Sequence, residues 1–424
     1  MNSVEKNTTT NNIELFKSSP EYADRIEPES KFLATDPAVF EQFRAIATPI
    51  ERQPYLSHPD EEFSLRTRKW HTAEGTQYTA ALKDRGQMVG GVQERLEVEV
   101  PISKEAYDFY AQGDRYPYVS KLRAEPSEGL VIDFFEGFDT PVVEIETKDQ
   151  ALRESYLALY GDALMDVTGD RRYDSEALAH QLHPSPESQP TKESLDAFSE
   201  RVAKEMVARY VVGSNQGVVG LTGMSGSGKS TVTRMVQNAI AEEFGEQLRP
   251  IVVSTDDYHF GKEKLEAMYG APWTEWDDPR TYNTAELAID LANLADGIPL
   301  IRRHFDFATE EPVFDDEIAP SPFVIVEGLY AGSSDLASVR DLHFELPTPV
   351  ATSIGRDVRR LVIENRANRV FPTPESRLKY QIETALPLYL SQERPGRNNF
   401  SGCARPLGER AAMLVQLRER FTRS

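Results

Sequence analysis

Gly223-Met224-Ser225-Gly226-Ser227-Gly228-Lys229-Ser230 decides the reading of half the chain. It fits the phosphate-binding loop pattern Gly-x4-Gly-Lys-Ser/Thr, and its flanks supply the context that the pattern needs. Upstream, Gly217–Thr222 reads as a short buried strand. Downstream, Val232, Met235, Val236 and Ile240 recur at helical spacing until Gly245 ends the run. Glycines let successive backbone N–H groups converge on phosphate oxygens, and the helix N-terminus adds positive potential. Gly223, Ser225, Gly226, Ser227, Gly228, Lys229, Ser230 and Thr231 are therefore the expected nucleotide-binding residues. Lys229 is expected to reach the β- and γ-phosphates of ATP, with the Ser230 hydroxyl on a magnesium ion.

Working outward, 424 residues exceed one ordinary core, so two domains are expected. The net charge is −22 and the sequence pI about 4.9. No basic excess exists to neutralise phosphates over a large surface, which argues against nucleic-acid or anionic-membrane partners. One cysteine, Cys403, excludes an internal disulfide framework and suits a reducing cytoplasm. No apolar run approaches a membrane span, and no signal-peptide core opens the chain.

Residues 1–20 are polar and read as a loose tail. From residue 21 a different pattern begins. In a strand, alternate side chains share a face. Glu27, Glu29 and Lys31 follow that spacing, as do Arg66 and Arg68; Arg95, Glu97 and Glu99; Lys121 and Arg123; and Glu144 and Glu146. Lys83 and Asp133 lie in further strand-like stretches. Apolar residues such as Ile26, Leu65, Leu96, Val98, Leu122 and Ile145 alternate with these charges. The result is a set of antiparallel strands with one charged and one apolar face. Left open, the charged face is simply wet; closed into a barrel, acids and bases line one lumen. Such a lumen can bind polyphosphate on its Arg and Lys and divalent metal on its carboxylates. Pro28 lacks a ladder donor and fits best at an edge or bulge.

Glu27-x-Glu29-x-Lys31 and the later pairs resemble the CYTH, or triphosphate tunnel metalloenzyme, family. Asp166–Tyr173 is similar to its closing segment. The resemblance covers about Ile26 to Leu182 and implies an antiparallel tunnel barrel that binds triphosphates with Mg²⁺ or Mn²⁺. It implies phosphate contacts from Lys31, Arg66, Arg68, Lys83, Lys121 and Arg123. It also implies metal ligands or water-positioning groups at Glu27, Glu29, Glu97, Glu99, Glu144 and Glu146. Asp133 falls among these roles without a fixed one. Family members include triphosphatases and cyclases, so fold alone does not fix the reaction.

His183–Thr191 is Pro-rich linker chemistry, and the second domain is expected over residues 192–424. Pro250–Ser254 and Phe323–Gly328 read as buried strands, the first followed by Asp256 and the second carrying Glu327 near its end. In open parallel sheets, ligands sit beyond the carboxyl ends of strands. With the phosphate loop and Trp276-Asp277-Asp278-Pro279, these blocks look like the uridine kinase and phosphoribulokinase family of P-loop kinases. That resemblance implies an α/β domain with a parallel sheet. It makes Asp256 the base for an acceptor hydroxyl and puts Glu327 beside Ser230 at Mg²⁺. It gives acceptor contacts to Asp277, Arg303 and Phe305, and a lid carrying Arg356, Arg359 and Arg360. The lid and acceptor motifs match only partly, which leaves the acceptor open. His259, His304 and His343 share no metal-ligand spacing.

Three functions stay open at this level. One is an ATP-dependent kinase of a small hydroxyl-bearing metabolite fused to a triphosphate hydrolase. The second is a tunnel hydrolase regulated by a nucleotide-binding domain. The third is a kinase gated by a non-catalytic, polyphosphate-sensing tunnel.

Overall fold

The computed structural model describes residues 25–72, 75–185, 193–212, 217–363 and 371–392. The N-terminal tail, most of the linker and Cys403 lie outside the described residues. The chain forms two compact units. One comprises residues 1–190 together with Pro349–Glu383, and the other residues 191–348 together with 384–424.

In the first unit ten strands form one antiparallel sheet: β1 (Ile26–Ala34), β2 (Thr48–Pro54), β3 (Phe63–Thr72), β4 (Gly75–Asp84), β5 (Gln87–Val89), β6 (Val92–Pro101), β7 (Tyr118–Ser127), β8 (Leu130–Phe135), β9 (Val142–Glu146) and β10 (Leu164–Asp166). Eight of them run in the order β1-β9-β8-β7-β2-β3-β4-β6, and β6 pairs back onto β1, closing the barrel. The closing ladder sets Ile26 against Leu96 and Glu29 against Gln93. Closure removes the exposed edges of an open sheet. Pro28 sits where the β1–β9 ladder has already stopped at Glu29, so it has a strand neighbour on one side only. The missing donor is tolerated there.

The barrel is lined by charge and packed on its outside. On β6, Leu96, Val98 and Val100 are buried, while Arg95, Glu97 and Glu99 occupy the alternate positions. The outward apolar positions are covered by local structure: Phe32, Ile132, Phe134, Val143 and Ile145 pack with Phe40 and Tyr156. Tyr156 belongs to the helix Gln150–Tyr160, started by Asp149, whose carboxylate accepts from the N–H groups of Ala151 and Leu152.

The Pro349–Glu383 segment packs with this barrel. Its helix Val350–Ile363 lies against β3 and β4. A Cβ on Gly355 would stand 2.3 Å from the Phe63 ring, so the close approach requires glycine. At its far end, Tyr110 Oη donates to the Ile382 carbonyl at 2.7 Å, and Lys379 Nζ to that of Pro101 at 2.8 Å.

The second unit carries a two-stranded hairpin, β13 (Leu300–Asp306) and β14 (Glu311–Ile318), and a four-stranded parallel sheet. The sheet strands are β11 (Gly217–Thr222), β12 (Ile251–Ser254), β15 (Phe323–Gly328) and β16 (Leu342–Glu345), in the order β12-β15-β11-β16. Every residue of β11 is buried, the continuous apolar run of a strand covered on both faces. One face packs on Phe198, Val202, Met206, Val232 and Val236, and the other on Leu287, Leu291 and Leu294. No helix among the described residues is long and apolar enough to cross a membrane.

Candidate functional sites

The barrel lumen holds a cavity of about 50 Å³. Seven sequence-assigned residues line it: Glu29, Lys31, Arg66, Lys83, Arg123, Glu144 and Glu146. Glu27, Arg68, Glu97, Glu99 and Lys121 are not in its wall. Arg68 pairs with Glu99 at 2.8 Å and lies over the Trp70 ring, and Lys121 is sealed against Asp133 at 2.6 Å. Asp133, left without a role by the sequence, accepts from both Lys121 and Arg123 and therefore serves to neutralise cations.

Four lining groups carry no role from the sequence reading. Arg95, on the same alternation as Glu97, pairs with Glu29. Asp174, one residue beyond the closing segment, accepts from Lys31 at 2.5 Å. Arg85 and Glu176 pair at 2.5 Å. Periodicity could have found Arg95 and also Arg85, two residues after Lys83, whereas Glu176, in the helix Ser175–Leu182, is brought in only by the fold.

Lumen charges meet at close range. Lys83 bridges Glu97 at 2.6 Å and Glu27 at 3.4 Å, Arg66 reaches Glu97 at 3.6 Å, and Arg123 reaches Glu144 at 3.2 Å. Burial opposes the charge of Glu29, yet Arg95 and Lys31 hold its carboxyl well below the usual range. Glu146 behaves oppositely. Burial, then the neighbouring Glu144, pushes its carboxyl up to about 7. Burial also raises Glu27, aided by Glu97.

These are the groups against which a divalent metal must be judged. The sequence reading groups six glutamates as ligands, but in the structure Glu97, Glu99 and Glu144 are already engaged by cations. Among the described residues no three His, Cys, Asp or Glu side chains stand together as a ready metal cage. The pair that best fits a hard cation is Glu29, whose buried Oε1 has Lys31 Nζ at 3.2 Å, and Glu146, opposite it in the β1–β9 register.

In the second unit three acidic or basic groups gather at the carboxyl ends of β11, β12 and β15. Gly226 and Gly228 take φ of +79° and +94°, the left-handed backbone that turns the loop into its helix, Lys229–Phe244. A Cβ on Gly223 would stand 2.5 Å from Ser227 Oγ, so the loop also closes tightly on itself. Lys229 Nζ donates to the Gly223 and Met224 carbonyls at 3.0 and 3.1 Å, folded over the loop. Thr348 Oγ1 donates to the Ser227 carbonyl at 2.6 Å. Asp256 begins the turn after β12. Burial raises its carboxyl, and Lys229 opposes that shift. Glu327 pairs in register with Ser254; burial raises it too, against the pull of Lys229. Its Oε2 is buried without a partner. An orphaned carboxylate oxygen beside Lys229 fits a divalent cation.

The acceptor-assigned residues converge on His259. This ring is 2% exposed, and neither nitrogen has a hydrogen-bond partner among the described residues. Arg303 Nη2 donates to the His259 carbonyl at 3.0 Å and Nη1 to Glu286 at 2.6 Å. The Phe305 ring lies 4.6 Å from His259, with Trp276 and Tyr282 at 5.8 and 4.4 Å. Asp277 is close enough to favour charge on His259, but burial dominates and pushes the imidazole down to about 4. The Asp277 carbonyl accepts from Tyr330 Oη at 2.5 Å. His259 is the group that the sequence passed over, because a lone histidine shows no spacing.

The lid arginines have other partners. Arg356 and Arg359 both bind Glu62 in the barrel unit, each at 2.9 Å. Arg366 and Arg369 lie outside the described residues.

Fold and sites together define two units, a charge-lined antiparallel barrel and a parallel-sheet domain with a P-loop. Residues 218–355 match the model of the Phosphoribulokinase / Uridine kinase family. A uridine kinase of Tolumonas auensis is 25% identical over 205 residues, 47% of this chain and 91% of that protein. Inorganic pyrophosphatase TTM2 of Arabidopsis thaliana is 27% identical over 179 residues, 41% of this chain and 24% of that protein. A solved inorganic triphosphatase is 24% identical, with a TM-score of 0.23, covering 36% of this chain and 93% of its own.

Proposed function

We propose that the chain is a two-site enzyme. Its P-loop domain transfers the γ-phosphoryl of ATP to a hydroxyl of a small metabolite, and its barrel binds and hydrolyses triphosphate. The observation that carries the reading is the meeting of Lys229, Asp256 and the unpartnered Glu327 oxygen at the strand ends beside the phosphate loop.

Phosphoryl transfer needs positioning and charge neutralisation more than covalent help. Loop N–H groups of Gly226 to Ser230 hold phosphate oxygens. Lys229, released from its own loop carbonyls, turns to the β- and γ-phosphates. Asp256 accepts the proton of the acceptor hydroxyl, and the burial that raises its carboxyl makes it a stronger base than an exposed aspartate. Ser230 and Glu327 would hold a divalent cation. When bound, that ion neutralises charge on the transferring phosphoryl group. Asp277, Arg303 and Phe305, gathered about His259, orient the acceptor, and the aromatic walls exclude water.

In the barrel, Lys31, Arg66, Lys83, Arg95 and Arg123 exchange carboxylate partners for phosphate oxygens. Glu29 and Glu146 are the groups that would hold a divalent cation. Both reactions belong to the reducing cytoplasm that a single cysteine suits.

Phosphorus NMR tests the reading directly. Inorganic tripolyphosphate alone, with Mg²⁺ or Mn²⁺, is expected to give phosphate and pyrophosphate. ATP with a panel of nucleosides and sugar phosphates is expected to give a phosphorylated acceptor. A kinase product with intact tripolyphosphate would turn the barrel into a sensor; cleavage without a kinase product would make the P-loop domain a regulator.

A further inference from the structure

The helix Val350–Ile363 follows the last strand of the parallel sheet in sequence, yet two of its arginines act on the barrel. Arg356 Nε binds Glu62 Oε2 and Arg359 Nη1 binds Glu62 Oε1, both at 2.9 Å. Residues three apart on a helix share a face, so both oxygens of one carboxylate are taken from one side. The next residue in the chain is fixed as well: the Phe63 ring lies under Gly355 and 5.4 Å from the Arg359 guanidinium.

Glu62 belongs to the loop between β2 and β3, and that loop holds a lumen cation. Arg85 Nε donates to the Glu61 carbonyl at 2.8 Å, and Nη2 to the carbonyls of His58 and Phe63 at 2.9 and 3.1 Å. Arg85 Nη1 binds Glu176 at 2.5 Å, and both residues line the cavity. Immediately after Phe63, Ser64 and Arg66 line it too. Two carbonyls of this loop and that of Phe63, the first residue of β3, thus decide where the Arg85 guanidinium stands, and the chain is gripped there at Glu62 and Phe63.

We propose that Arg356 and Arg359 are positioning residues of the barrel site: by clamping Glu62 they set the loop that places Arg85, and through it the anion affinity of the lumen. This rests on the reading of the lumen as a triphosphate site. The helix touches no phosphate in this role. It acts through Glu62, so the effect is on binding and not on chemistry.

The test uses the full chain with inorganic tripolyphosphate as probe, read by calorimetric binding and by steady-state cleavage. Glu62→Ala is expected to raise Kd and KM by roughly 3- to 10-fold, since partly exposed ion pairs contribute modestly, with kcat within twofold. Phosphoryl transfer at the phosphate loop should not change. Arg359→Ala should reproduce the tunnel effect and Arg359→Lys should recover part of it. Kd and KM within twofold of wild type in Glu62→Ala would overturn the clamp, as would a parallel fall of both activities with a lowered melting temperature, which marks a merely structural contact. Wild-type protein that neither binds nor cleaves tripolyphosphate would overturn the triphosphate reading itself and the clamp with it, a result distinct from binding that ignores Glu62.

Discussion

Glu29 and Glu146 face each other across the β1–β9 ladder, and the two carboxyls are held in opposite states. Arg95 and Lys31 keep Glu29 ionised, while burial and Glu144 favour the proton on Glu146. Like charges directly opposite on a sheet repel. Pairing one carboxyl with cations and favouring the proton on the other lessens that repulsion, and a divalent cation would lessen it by binding both.

Glu29→Gln removes one side of that arrangement. Metal-dependent tripolyphosphate cleavage is expected to fall by roughly 100-fold, with phosphoryl transfer from ATP unchanged. Initial rates across a metal titration check this. Cleavage within threefold of wild type removes Glu29 from the ligand set.

Lys229→Ala separates the two sites. It deletes the only side-chain cation that the phosphate-loop pattern supplies, so transfer to the acceptor should drop by roughly 10³-fold. Tunnel cleavage should continue at the wild-type rate. Equal loss of both activities would show that one site performs both reactions.

Asp256→Asn keeps shape and removes the base. A kcat loss of roughly 10²- to 10⁴-fold is expected, with the KM for ATP little altered. If kcat survives while the acceptor KM rises, Asp256 orients the hydroxyl without taking its proton.

His259 makes stability depend on pH. Its imidazole titrates near 4 in the folded chain against about 6.5 for an unperturbed histidine. Between those values the unfolded chain binds the extra proton, so folding loses stability as pH falls from 6.5 towards 4. The loss is about 3 kcal/mol when complete. His259→Phe, which suits the surrounding aromatic rings, should flatten this slope. Urea midpoints at pH 7.5 and 4.5 for both proteins measure it, and an unchanged slope would assign the titration to another group.

Gly355→Ala sets two effects of opposite sign against each other. Alanine gains about 1 kcal/mol of helix propensity over glycine, but its Cβ would enter the Phe63 ring at 2.3 Å. Overpacking of this kind costs about 1–3 kcal/mol. Net destabilisation is expected in thermal unfolding, and a raised melting temperature would mean that the helix shifts off Phe63 without penalty.

Much of the site was legible in the chain because strand alternation and loop chemistry are local. Lys31, Arg66, Lys83, Arg123, Glu29, Glu144 and Glu146 all reach the cavity wall. Arg68 and Lys121 have the same spacing, yet carboxylates on nearby strands, Glu99 of β6 and Asp133 of β8, take them up. Spacing tells which face a residue occupies and not what stands opposite it. Glu176 comes from a short helix and His259 from an isolated bridge, where no strand period exists to mark them.

The sequence by itself determined the alternating charged strands, the phosphate loop with its flanking strand and helix, and the acids at the strand ends. Each follows from backbone geometry acting over a few residues. The pairing of β6 back onto β1 that closes the lumen, the choice of cations that reach the cavity wall, and the packing of Pro349–Glu383 with the barrel arise only in the folded chain. Those outcomes depend on contacts between residues far apart in the chain, such as Glu62 with Arg359 and Phe63 with Gly355, and no local pattern encodes them.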